Sequence, residues 1–195
     1  ASLVIIGINS AAQIPSSMIN SAVIAADTQN IQSTLNTVLK RMSETVTEPQ
    51  FGTSAGEWSV LCLARSGFYD KDSTYFSDYY NRIVDTVNEI AEDNGALHKV
   101  KSTENSRLIL ALSAIGRDAQ KVGNYNLLEP YNDFHWVKKQ GLNGTVFALI
   151  ALDTNNYQTA DASIRQQCID FILEKELEGG GWALSGDTPD ADMTA

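Results

Sequence analysis

The apolar positions of this chain change their spacing from one segment to the next, and the change is regular. Over 30–46 they fall at Ile31, Leu35, Val38, Leu39, Met42 and Val46, a one-sided stripe at helical period. Over 56–66, "GEWSVLCLARS", the run Val60, Leu61, Cys62, Leu63 and Ala64 is consecutive and covers every side of a helix. The stripe returns over 73–92 with Phe76, Tyr79, Tyr80, Ile83, Val84, Val87 and Ile90. Segments 104–116, "ENSRLILALSAIG", and 143–153, "NGTVFALIALD", are apolar nearly all round. A less regular stretch at 125–140 lies between them, and 161–176 is one-sided through Ile164, Cys168, Phe171, Ile172 and Leu173. A one-sided helix belongs at a surface, whereas one that is apolar all round must be covered on more than one side. The pattern predicts an all-α protein with amphipathic helices outside and buried helices inside. No segment alternates with period two between turn signals, so strands are a minor component at most.

The buried segments repeat. "WSVLCLARSG" at 58–67 lies over "RLILALSAIG" at 107–116, with Leu61 on Leu110, Leu63 on Leu112 and Gly67 on Gly116, an offset of 49. "ALIALD" at 148–153 lies over "ALSAIG" at 111–116, an offset of 37. Glycine precedes each such segment: Gly52 and Gly56, Gly95, Gly141 and Gly144, then Gly179, Gly180 and Gly181. A repeat of that length reads as stacked helical hairpins, each an outer helix, a glycine-bearing turn and an inner helix. The closing "DADMTA" stands where a fourth inner helix should begin, which makes about three and a half hairpins of an incomplete array.

Composition narrows the class. The chain has 195 residues, 43% of them hydrophobic, enough for a sizeable core. Its net charge of -10 repels phosphate backbones and anionic lipid, so neither nucleic-acid binding nor direct membrane insertion is expected. No charged residue precedes Asp27. The apolar run "LVIIGI" and the small residues of "AVIAAD" read as a signal-peptide remnant over 1–26, with the repeat domain over 27–195 and the product exported to the cell surface or beyond. The competing reading is an apolar first helix broken at Pro15. Cys62 and Cys168 both sit in apolar runs and read as buried free thiols, although a disulfide between them stays open. With only His98 and His135 and no paired cysteine motif, the usual zinc ligands are poorly supplied, and no cofactor is expected.

The glycine–tryptophan turns carry a resemblance. Phe171-Ile172, then Glu176, Gly180 and Trp182 resemble the QW-type repeat of the (α/α) toroid shared by prenyltransferases, squalene cyclases and cobalamin carriers, with glutamate at the glutamine position. "DADMTA" is similar to the DxDDTA acid motif of squalene–hopene-type cyclases: Asp190, Asp192, Thr194 and Ala195 match, and Met193 replaces the second aspartate of the pair. Over 50–195 the phrasing most resembles the toroid domains of exported surface proteins of Gram-positive bacteria. The resemblance implies an α/α toroid; one fold carries many activities.

Two functions follow as expectations. The first is a non-catalytic domain that binds a ligand or acts as a structural spacer, beside further domains. A small molecule, glycan or protein would bind at the rim where the inner helices start, through Trp58, Glu57, Arg107, Glu104, Trp136 and Trp182. The alternative is a terpene cyclase-like isomerase or lyase in which Asp192, beside Asp190, is the general acid. The inner helices offer few aromatics to stabilise a cationic intermediate, Phe147 and Trp58 being the two. The simplest role for the aspartates is capping, since Asp190 or Asp192 sits at a helix start. Asp187, Asp190 and Asp192 also cluster closely enough in sequence to supply oxygens to calcium. Each tryptophan has a structural reading too, as a plug where a hairpin turns over. His98 reads as a turn residue, and Asn143 in "NGT" reads as a cap.

Overall fold

A computed structural model describes residues 16–53 and 55–194, with side chains from Thr28 onward. The chain forms two compact units, Ala1–Arg41 and Met42–Ala195. Residues 1–15 of the proposed signal segment lie outside the described residues, and 16–26 form the opening turns of α1 (Ser16–Thr45).

The second unit is all-helical. Its helices are α2 (Gly56–Arg65), α3 (Thr74–Ile90), α4 (Ser102–Ala114), α5 (Phe134–Val137), α6 (Gly141–Asp153), α7 (Ile164–Glu174) and α8 (Ala191–Thr194). Short 3-10 turns at Glu129–Asn132 and Lys138–Gln140 flank α5 and account for the irregular stretch at 125–140. Among the described residues there is no strand, only an isolated bridge between Val122 and Tyr125.

The helices that are apolar all round stand in a row. α4 packs on α2 on one side and on α6 on the other. Trp58 in the first turn of α2 meets Phe147 of α6, with ring centroids 6.2 Å apart, and Arg65 at the end of α2 donates to Thr154 just past α6 at 3.5 Å. Start lies near start and end near end, so α2 and α6 run the same way. α4 shares their direction: Ser102 and Thr103 at its start bond Val137 and Gln140, just ahead of α6, and Ser113 near its end meets the Tyr157 hydroxyl just beyond α6.

Cover differs along the row. α4, the middle member, is buried on nearly every turn, with Leu108, Ile109, Ala111 and Leu112 fully out of solvent. Burial of Leu108, Ile109 and Leu112 stabilises the fold by about 1.5–3 kcal/mol each. α2 and α6 are less fully covered, with Trp58, Cys62 and Ile150 exposed. Cys62 is therefore an exposed thiol, not a buried one. Cys168 is buried, its thiol pushed up to about 11 by desolvation, and both cysteines are free. The amphipathic helices bury one face: Phe76, Tyr79, Ile83 and Val87 in α3, Ile164 and Cys168 in α7, which packs on α6.

Two glycines allow the row to close up. A Cβ on Gly56 would collide with the Gln50 carbonyl, and one on Gly144 with the Val137 carbonyl. Both sit in the first turn of a row helix, so only hydrogen can face the turn that leads into it.

Candidate functional site

Of the three aspartates at 187–192, Asp190 is held by the backbone. Asp190 Oδ1 accepts the Asp192 N–H at 2.8 Å and the Met193 N–H at 3.3 Å. That is the geometry of an N-cap, and it opens α8. Asp190 N–H donates to the Trp182 carbonyl at 2.8 Å, and Thr194 Oγ1 both accepts from Trp182 N–H and donates to Trp182 carbonyl. Asp187 and Asp192 are exposed. Among the described residues no group of three or more His, Cys, Asp or Glu side chains is placed to hold a metal ion.

The same tie fixes the glycine-rich turn before it. Trp182 donates its indole N–H to the Ile172 carbonyl of α7 at 2.7 Å, and Leu177 N–H reaches the Gly181 carbonyl at 2.9 Å. Gly180 and Gly181 take positive φ, 85° and 82°, to make that reversal. Trp136 behaves alike. It is 5% exposed, donates its N–H to the His98 carbonyl at 3.0 Å and packs edge-on against Tyr131. Both indoles hold turns together. His98 is itself a turn residue: its Nδ1 accepts Val100 and Lys101 N–H groups ahead of α4. Asn143 lies within the first turn of α6, whose N-cap is Gln140, so it does not cap the helix.

Glu57, Glu104, Arg107 and Trp58 do come together, at the starts of α2 and α4. Glu57 is 1% exposed. One carboxylate oxygen accepts Gly52 N–H at 2.8 Å; the other is buried with no partner. Burial raises the pKa of Glu57, the Gly52 bond and nearby Arg107 oppose the rise, and Glu104 adds to it. The Tyr79 hydroxyl of α3 is also buried without a partner, and it feels the Glu57 charge; burial raises its pKa well above the ordinary phenol value. Arg107 Nε and Arg82 Nε are buried without partners as well. Glu104 is closer to solvent and pairs with Lys101 at 3.5 Å. Beside this buried set, Trp58 is 37% exposed and leans edge-on against half-buried Phe147. The arrangement is a polar interior under an open aromatic pair, able to stack a flat or apolar face and to offer hydrogen bonds at its edge.

Tyr79 and Phe147 escaped the sequence reading as site residues. Tyr79 sits on a helical apolar stripe and reads as plain core; nothing in the local pattern reports that its hydroxyl is left over. Phe147 was visible as an inner aromatic, but its partner Trp58 lies 89 residues away.

No protein-family model, no curated protein and no solved structure matches the chain.

Proposed function

We propose that this chain is a non-catalytic helical-repeat domain of an exported surface protein, built on the α/α toroid plan and used for ligand binding or as a structural module. The observation that carries the non-catalytic reading is the placement of the acid motif: the Asp190 carboxylate is engaged by two backbone N–H groups as a helix cap, and Asp192 lies exposed at the start of α8. Asp192, the acid that the cyclase resemblance would use, is exposed, whereas a proton donor to an alkene works in a water-excluded pocket. The parallel helices α2, α4 and α6, entered through glycine turns, with one-sided α3 between α2 and α4 and one-sided α7 after α6, support the toroid plan. The ligand face is the open side of that row, with Trp58 and Phe147 as stacking groups and Glu104 and Arg107 at its edge. Trp136 and Trp182 serve the turns, and Glu57 supports the face from beneath. Among the described residues no helix is long and apolar enough to cross a membrane.

Incubation of the purified chain with squalene, followed by gas chromatography, tests the central part. The expected result is no cyclised product. A cyclised product that disappears in Asp192→Asn would overturn the proposal. Export is tested by sequencing the N-terminus of protein recovered from the producing cells: a start near Ala26 or Asp27 is expected, and a chain retaining residues 1–20 would contradict it.

A further inference from the structure

The apolar stripe of α1 does not bury as a surface helix normally would. Of its members only Leu39 is buried, while Ile31 is 68% exposed, Leu35 41% and Val38 52%. These three are spaced by four and then three residues, with Met42 four further on, which is the spacing of a coiled-coil seam. The stripe is also free of charge on all sides. No residue from Thr28 to Leu39 is charged, in a chain whose net charge is -10. Copies of this protein repel one another over most of their surface, but not here. The first charges beyond the stripe differ in sign: Asp27 precedes it, Lys40 and Arg41 follow it. Two such helices side by side in parallel set like charges together, whereas an antiparallel pair sets unlike charges together.

We propose that α1 pairs antiparallel with α1 of a second copy along Ile31, Leu35 and Val38. The pairing centres between Thr34 and Leu35, so that Ile31 faces Val38 of the partner subunit. Six apolar side chains bury far less than the roughly 1,200 Å² of a stable interface, so the dimer is a weak, concentration-dependent one.

Sedimentation equilibrium of the full chain between about 1 µM and about 1 mM reads the association, and Leu35→Asp should weaken it at least ~10-fold with circular dichroism unchanged. Disulfide trapping in a Cys62→Ser background reads the direction. Thr34→Cys should crosslink to itself, and Thr28→Cys, which faces the far end of an antiparallel partner, should not. A chain monomeric throughout, a dimer that survives Leu35→Asp, or efficient crosslinking of Thr28→Cys would each overturn the proposal. So would a monomer that floats with phosphatidylcholine vesicles, which would assign the stripe to a lipid surface.

Discussion

Two carboxylates at helix starts, Asp190 and Glu57, have opposite circumstances. Asp190 belongs to the most suggestive motif in the sequence, yet it is exposed and its Oδ1 is engaged by the N–H groups of Asp192 and Met193. Glu57 belongs to no motif, yet it is 1% exposed with one oxygen unpartnered, and burial raises its pKa. The buried, underbonded acid therefore lies outside the motif that resembles a catalytic one. A motif reports which residue types stand at a helix start; desolvation depends on what packs above them, and that comes from distant parts of the chain.

The largest test of this contrast acts on the ground beneath Glu57. Gly56→Ala drives a methyl group into the Gln50 carbonyl and displaces the turn that offers Gly52 N–H to the carboxylate. A loss of about 3 kcal/mol in urea unfolding is expected, at the high end for overpacking a tight site. A loss under ~0.5 kcal/mol, the size of an ordinary surface change, would mean that the turn is slack.

Next comes the charge itself. The folded pKa of Glu57 is raised, so its protonated form favours the fold. The contribution is fully present below the ordinary carboxyl pKa of 4.5 and is lost as pH rises through the folded value. Glu57→Gln keeps an oxygen for Gly52 and cannot ionise. It should leave stability near pH 4 unchanged and raise it at pH 7 by about 1 kcal/mol. Unfolding midpoints measured at both pH values check this; a variant less stable at pH 7 than at pH 4, relative to wild type, would show that the ionised form is the supported one.

The smaller effects lie at the other acid. Asp190→Ala should cost about 1 kcal/mol in the local stability of α8, with Asp190→Ser recovering most of it. Asp192→Asn should change stability by less than about 0.5 kcal/mol, since Asp192 is exposed and its side chain caps nothing.

Much of the helical layout was legible in the spacing of apolar residues. The segments 56–66, 104–116 and 143–153 became Gly56–Arg65, Ser102–Ala114 and Gly141–Asp153. The one-sided segments 73–92 and 161–176 became Thr74–Ile90 and Ile164–Glu174. Burial all round held for α4, because it has a neighbour on each side. It failed for Cys62 in α2 and Ile150 in α6, which are exposed. In the candidate site, the capping role of Asp190 and the turn role of His98 could be read from local sequence, since their partners lie two or three residues away, whereas Trp136 and Trp182 read as turn plugs only through the repeat, their partners His98 and Ile172 being farther off. The burial of Glu57 could not. A glutamate in a first turn usually faces water, and what covers this one comes from α3 and α4, through Tyr79, Arg107 and their neighbours. The exposed stripe of α1 was visible as a stripe, but spacing says only that a face wants cover, not what supplies it.

The central claim is that the acid motif at α8 is a cap and not a proton donor, and amide hydrogen exchange at Asp192 and Met193 tests it most directly. In Asp190→Ala both amides should exchange about fivefold faster, the equivalent of ~1 kcal/mol. Asp190→Ser should restore the slow rate, and Asp192→Asn should leave it unchanged. Exchange at Asp192 and Met193 that is indifferent to Asp190→Ala would contradict the account and free that carboxylate for chemistry.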